Sequence, residues 1–246
     1  MIKIQEAKAM IFAAGLGTRL KPFTDSHPKA LALVNGKTLL ERNISYLHEF
    51  GISEIVINVH HFASQIADFI ERYRSSNINI HLSNEVEGPF ETGGGLAFAS
   101  EFFKASTNPF IVMNADILTN LDLNGMFEFH KKVSPLATLA VTKRESSRQF
   151  LFDDQLKLVG WRNNNTLETK WVDGEYLSAE PFSFSGIHVL SPAIFELMPS
   201  SGVFSITDVY LKLAAIRQVV GYNHSGDMVL DVGKPESVIL AESLFF

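Results

Sequence analysis

The strongest constraint on the fold is a short apolar strand that runs straight into a glycine-rich loop. Residues 8–13 (Lys-Ala-Met-Ile-Phe-Ala) form an apolar run of the kind found in central strands. Gly15 and Gly17 follow at once, and a loop punctuated by glycine and proline continues to about residue 34. The chain then alternates. Residues 38–50 carry Leu39, Leu40, Ile44 and Leu47 at helical spacing and stop at Gly51, a natural C-cap. Residues 54–59 read as a strand. Residues 63–73 read as a helix with Ile66, Phe69, Ile70 and Tyr73 on one face, and residues 78–82 as a third strand. A glycine turn at 93–95 opens a helix to about residue 103. Residues 110–113 are a fourth strand ending at Asn114-Ala115-Asp116. Strands separated by helices predict a three-layer α/β/α architecture with a doubly wound, mixed but mostly parallel sheet.

The second half has a different texture. Residues 137–142, 150–152, 156–161 and 182–190 read as strands with tight connections, so this half is β-rich. Residues 163–180 are polar and weakly patterned, which predicts a surface excursion. Residues 206–216 are helical, 228–232 strand-like, and 234–245 a closing helix with Pro235 in its first turn. No repeat, low-complexity tract or linker interrupts the chain. One domain over residues 1–246 is expected, and its 20 phenylalanines read as core.

Composition narrows the function. Lys+Arg is 21 against Asp+Glu 27, a net charge of −6, so the broad basic surface that nucleic-acid binding needs is not expected. A local nest of backbone N–H groups can still hold a small anion. With no cysteine, thiol catalysis, disulfides and Cys-ligated zinc are excluded, and a cytoplasmic location is expected. The apolar run from 9 to 16 is short for a signal peptide and reads as the buried first strand. No stretch approaches the ~20 apolar residues of a membrane span.

The loop itself is Ala13-Ala14-Gly15-Leu16-Gly17-Thr18-Arg19-Leu20-Lys21-Pro22, then Asp25-Ser26-His27-Pro28-Lys29. The glycines allow a tight turn and close approach of backbone to a ligand. Arg19 and Lys29 add charges that reach a polyphosphate. Leu20 stands where both the Walker and the dinucleotide-binding patterns require their second or third glycine, so neither applies. Asp116 and Asp231 each follow or end a strand-like segment. Two carboxylates with phosphate oxygens and water make a typical Mg²⁺ shell, but an Asp after a strand is equally a turn former or helix cap.

Taken in order, A-A-G-L-G-T-R-L, P-K, E-T-G-G-G, N-A-D, F-S-G-I and D-V-G-K-P-E resemble the signature of the sugar-1-phosphate nucleotidyltransferases, over roughly residues 8–240. Within that family the E-T-G-G-G and F-S-G-I segments are most similar to the compact N-acetylmuramate-1-phosphate uridylyltransferase type. The resemblance implies a Rossmann-like nucleotidyltransferase fold, with a nucleotide-binding part at about 1–120 and a sugar-phosphate-binding part at about 121–246. It implies transfer of a nucleoside monophosphate from a nucleoside triphosphate, UTP for this type, to a sugar 1-phosphate, with Mg²⁺ as cofactor. Arg19, Lys29, Asp116 and Asp231 would be catalytic. Ala13, Ala14, Gly15, Leu16, Gly17, Thr18, Arg19, Lys29, Glu91, Gly93 and Gly94 would line the nucleotide. Asn114, Gly186 and Asp231 would meet the sugar phosphate, and Asp116 and Asp231 would hold the metal. Ala115, where glycine is usual, and Lys234, where threonine is common, depart from the pattern.

Other residues carry less. Lys143, Arg144 and Arg162 are candidate anchors for the sugar phosphate as well as ordinary surface cations. The Glu-Lys-Pro segment of many relatives is not evident, and Gly160-Trp161-Arg162 occupies that region. His60-His61 reads as a strand-end pair and His188 as structural. The sequence stops soon after D-V-G-K-P-E, so no β-helix acyltransferase extension is expected. Mannose- and heptose-1-phosphate guanylyltransferases, a phosphocholine-type cytidylyltransferase and a non-catalytic nucleotide-binding homologue are the alternatives.

Overall fold

The computed structural model describes residues 3–73 and 77–245. Strand β1 (Lys8–Phe12) is followed by the long loop and a small hairpin of β2 (Leu33–Val34) and β3 (Lys37–Thr38). Helix α1 (Leu39–Glu49) starts where the Thr38 hydroxyl accepts the Glu41 N–H at 3.0 Å. Then come β4 (Glu54–Val59), α2 (Ala63–Arg72), β5 (Asn79–Asn84), α3 (Glu91–Phe98), α4 (Ser100–Lys104) and β6 (Phe110–Asn114). Strand β7 (Ile117–Thr119), helix α5 (Leu123–Val133) and β8 (Ala137–Thr142) lead into β9 (Arg148–Phe152), β10 (Leu158–Asn163), β11 (Thr169–Trp171) and β12 (Glu180–Leu190). Helices α6 (Ile194–Leu197) and α7 (Ile206–Ala214), strands β13 (Val219–Asn223) and β14 (Val229–Asp231), and helix α8 (Pro235–Leu244) close the chain.

The main sheet is mixed. Strands β5, β4, β1 and β6 run parallel to one another, and β12 continues the sheet antiparallel to β6. The 11-residue β12 is shared: its first residues pair with β9, which carries β10 and β11, and its remainder pairs with β8, which carries β13. Alternation along the central strands separates two apolar layers. Ala9, Ile11, Ile55, Ile57, Ile111 and Met113 face the side packed by α1 and α5. Met10, Val56, Phe110 and Val112 face the side packed by α3 and α7. Both faces of β1, β4 and β6 are thus covered, which is why they read as continuous apolar runs, while β5 at the edge is polar and largely exposed. No described helix is long and apolar enough to cross a membrane.

The structure corrects the sequence reading in several places. The glycines at 93–95 lie inside α3, not ahead of it. Helix α5 was not anticipated, although Leu123, Met126, Phe127 and His130 bury one face at helical spacing and the Asp122 side chain caps it. Strands β7 and β13 were also missed, being short. The polar excursion at 163–180 contains β11, paired with β10.

Two buried histidines make stability depend on pH. His188 lies in the sheet with Nδ1 2.5 Å from the Tyr210 hydroxyl, and burial lowers its pKa to about 3. His130 pairs with the Thr138 hydroxyl at 2.9 Å, and burial lowers its pKa to about 4. Both are neutral in the folded chain, while the unfolded chain protonates them near pH 6.5. The folded state therefore holds its full advantage above pH 6.5 and loses it as pH falls toward 4, where the unfolded chain binds more protons. Urea titrations from pH 7 to pH 4 are expected to show a steeper loss of stability in the parent than in His130→Gln, by up to about 1.4 kcal/mol per pH unit.

Candidate active site

From β1 the chain moves outward to β4 and β5 on one side, while β6 returns on the other. The strand order reverses between β1 and β6, the place where open α/β sheets bind ligands. The Ala115 N–H continues the β1–β6 ladder by bonding the Phe12 carbonyl at 3.0 Å, so the two strand ends open side by side. A cleft of about 300 Å³ lies there, lined among others by Gly15, Gly17, Thr18, Arg19, Lys29, Thr92, Asn114 and Asp116.

The glycine loop is folded back on itself. Gly17 adopts φ 61°, and a Cβ on it would lie 2.9 Å from Lys29 Cβ and from Thr24 Cγ2. The Thr24 hydroxyl donates to the Gly17 carbonyl at 2.9 Å. Gly15 faces open space. Among the described residues, the amides of Gly15, Leu16 and Gly17 donate no hydrogen bond within the chain, which leaves them free for an anion. Ala13 and Ala14 are buried at the loop's root, Leu16 is half exposed, and Thr18 and Arg19 are exposed.

The two carboxylates meet by a route the sequence did not reveal. Asp116 sits in the turn after β6. Asp231 is not on the main sheet at all: it ends β14, which pairs only with β7 in a two-stranded ribbon, opposite Ile117. The Val232 N–H bonds the Asp116 carbonyl at 2.8 Å and locks the two segments together. Lys29 lies between them. Its Nζ forms a close ion pair with Asp116 Oδ2 and stands 3.8 Å from Asp231 Oδ1, and Arg19 Nη2 is 3.5 Å from Asp231 Oδ2. A Cβ on Gly233 would lie 2.6 Å from Asp231 Oδ1 and 2.9 Å from Arg19 Nη2, so a side chain there would have to displace these two side-chain ends.

A divalent cation suits this donor set. Asp231 Oδ1 is buried and has no hydrogen-bond partner, and Asp116 converges on the same ammonium. Among the described residues, no group of three or more His, Cys, Asp or Glu gathers to hold a metal. The protein thus offers two hard carboxylates and leaves the other positions to phosphate oxygens and water, as Mg²⁺ accepts.

Supporting residues were invisible in sequence. Buried Asn43 of α1 donates to the Ala115 carbonyl at 2.9 Å and holds the turn that presents Asp116. Buried Asn58 of β4 accepts the Ala13 N–H at 2.8 Å and donates to Glu85 Oε1 at 2.6 Å. Glu85 Oε2 accepts the Phe90 N–H at 2.9 Å. Gly95 leaves room for this pair, since a Cβ there would lie 2.6 Å from Glu85 Oε1. A lone Asn inside an apolar strand was the available signal.

The remaining sequence candidates scatter. Glu91 is exposed with φ 58°. The Gly93 and Gly94 amides both donate to the Phe204 carbonyl, at 2.9 and 3.2 Å, so here they hold the loop before α7 rather than stand open as an anion or base site. Side chains at either would strike residues 202–204. Gly186, with φ 73°, bulges β12 toward Asn114. Lys143 is exposed and paired with Glu180 at 2.9 Å. Arg144 is half-buried, and its Nη2 donates to the Phe184 carbonyl at 2.9 Å. Burial lowers its pKa, and the charge of Asp231 raises it in part. His60 bonds the Glu85 carbonyl at 2.7 Å, a structural role.

A reversed strand order with an open amide nest and a carboxylate pair at its mouth defines a nucleotide-handling α/β fold of Rossmann-like type. The chain belongs to the nucleotidyl transferase family, whose profile matches residues 8–150. It is 30% identical over 226 residues to the N-acetylmuramate alpha-1-phosphate uridylyltransferase of Neisseria meningitidis serogroup B, covering 92% of this chain and 93% of that one. It is 27% identical over 240 residues to mannose-1-phosphate guanyltransferase 2 of Candida glabrata, covering 97% of this chain. It spans only 64% of that relative's length. The fold is similar to that of HddC from Yersinia pseudotuberculosis complexed with GMP-PN, with TM-score 0.77, 23% identity, and 98% and 100% of the two chains covered. It is also similar to a UDP-glucose pyrophosphorylase complexed with UDP-glucose, with TM-score 0.76, 18% identity, and 100% and 98% covered.

Asn58→Ala is expected to strip partners from the buried Ala13 amide and Glu85 carboxyl together. At about 1–3 kcal/mol for each stranded group, the loss is about 2–6 kcal/mol, read by urea denaturation. An unchanged midpoint and slope would show that the Asn58–Glu85 link does not hold the loop.

Proposed function

We propose that this protein transfers a nucleoside monophosphate from a nucleoside triphosphate, UTP first among them, to a sugar 1-phosphate, with N-acetylmuramate 1-phosphate as the favoured acceptor. The observation that carries this reading is Lys29 held between Asp116 and Asp231 at the mouth of the glycine loop. A phosphate oxygen of the sugar attacks the α-phosphorus in line, the bond from that phosphorus to the bridging oxygen breaks, and pyrophosphate leaves. The nucleophile is already an anion, so the residues act by placement and charge, not by removing a proton. The free amides of Gly15, Leu16 and Gly17 and the exposed Arg19 receive the β- and γ-phosphates. Lys29 serves the α-phosphate and the incoming phosphate. Asp116 and Asp231 would hold Mg²⁺, which supplies neutralisation of the charge that develops on phosphate oxygens.

Arg144 is the preferred anchor for the sugar's phosphate, a half-buried cation whose Nε has no hydrogen-bond partner while its Nη2 is held by the Phe184 carbonyl. Gly186, bulged toward Asn114, leaves the sugar room beside that strand end. On this reading the chain is one domain, with the nucleotide handled by about 1–120 and the sugar phosphate by about 121–246, in a cytoplasmic enzyme. Guanylyl transfer to a mannose or heptose 1-phosphate is a second reading, favoured by the match to mannose-1-phosphate guanyltransferases.

A pyrophosphate-release screen of four nucleoside triphosphates against a panel of sugar 1-phosphates with Mg²⁺ separates the readings. Lys29→Ala and Asp116→Ala are each expected to lower turnover at least ~100-fold. Near-normal turnover in both variants would remove these residues from the chemistry.

A further inference from the structure

Beyond the carboxylate cluster, the open ends of β8, β9, β10 and β12 enclose a wider groove of about 790 Å³. Two half-buried arginines line it, Arg144 and Arg162, and neither is in an ion pair among the described residues. Arg162 projects from β10 opposite Gln149 of β9. Its Nη2 donates to Gln149 Oε1 at 2.9 Å, and its Nε is buried with no partner. Asn164 Nδ2 donates to the same Gln149 oxygen at 3.0 Å and to the Ser146 carbonyl at 2.7 Å. A guanidinium and an amide therefore converge on one neutral oxygen, in a place where a forked, planar cation is best matched by a carboxylate. Two acids line the groove as well. Glu180 is taken up by Lys143 at 2.9 Å, and Glu145 is exposed at the rim.

Arg144 of this groove is the anchor proposed above for the 1-phosphate, which leaves Arg162 for another group on the same sugar. Arg162 stands on β10, three places from β6 in the sheet by way of β12 and β9.

We propose that Arg162, seconded by Asn164, binds a carboxylate carried by the acceptor sugar, taking it in place of the Gln149 oxygen and so selecting sugar acids over neutral sugars. This inference rests on the nucleotidyl-transfer reading for the position of the 1-phosphate, but the carboxylate site can be measured without turnover.

The probes are N-acetylmuramate 1-phosphate and N-acetylglucosamine 1-phosphate, which differ in the lactyl ether that carries the carboxylate. Calorimetry on the intact chain without nucleotide is expected to show the acidic sugar bound at least ~10-fold tighter, about 1.4 kcal/mol. Arg162→Gln is expected to bring the ratio of the two affinities close to one. Arg162→Lys keeps the charge without the fork and is expected to fall between. Asn164→Leu, on an exposed residue, is expected to lower the ratio in the same direction and covers the case in which Arg162→Gln fails to fold. In pyrophosphate release the same variants are expected to raise KM for the acidic sugar more than they lower kcat. Equal binding of the two sugars by the parent chain would overturn the proposal. So would an Arg162→Gln or Asn164→Leu chain that weakens both sugars alike, which would assign the groove to the 1-phosphate. A binding preference that depends on Arg162, with no pyrophosphate released from any pair, would support the carboxylate site and count against nucleotidyl transfer alone.

Discussion

Everything at the candidate site depends on an ammonium group placed between two carboxylates. Asp116 and Asp231 are 115 positions apart in the chain, yet both reach Lys29. Bringing two carboxylates together in a partly buried cleft costs Coulomb energy and hydration. Lys29 offsets that cost, so the cluster depends on charges of opposite sign facing one another across a few ångströms.

Holding that cluster explains several features that otherwise look incidental. The β7–β14 ribbon has no part in the main sheet, and its function in the fold is to carry Asp231 to the end of β6. A side chain at Gly233 would have to displace the ends of Asp231 and Arg19. Asn43 and Asn58 are buried polar residues on the apolar faces of α1 and β4; each bonds backbone next to the site, and Asn58 also holds the Glu85 carboxyl. Buried amides of this kind are costly unless satisfied, so each fixes one geometry and resists others. The groove beyond Arg144 differs in kind. It is built from antiparallel strands, is open, and keeps cationic hydrogen-bonding capacity unused.

Much of this was legible before any coordinates. The run from 8 to 13, the spacing of Leu39, Leu40, Ile44 and Leu47, and the strand at 54–59 gave the α/β alternation almost to the residue, because a buried parallel strand and an amphipathic helix each impose a period on the chain. Helix α5 is not legible despite its apolar face; β7 and β11 are only three residues long, and β13 is broken in pattern by Gly221 and Asn223. The glycines at 93–95 were placed at a helix entrance because a glycine cluster usually breaks a helix. Here the close approach of residues 202–204 forbids side chains there, and that neighbour lies more than a hundred residues away.

By itself, the sequence determined the kind of fold, the family and the place of the glycine loop after the first strand, since these follow from local periodicity and local motifs. Only the tertiary structure decided which of those charges meet. It put Arg19, Lys29, Asp116 and Asp231 into one cluster, left Lys143 on a surface ion pair, and placed Arg144 and Arg162 along one groove. The physical reason is that electrostatic partnership depends on distances of a few ångströms, and those distances are set by strand order and register between segments that no local pattern connects.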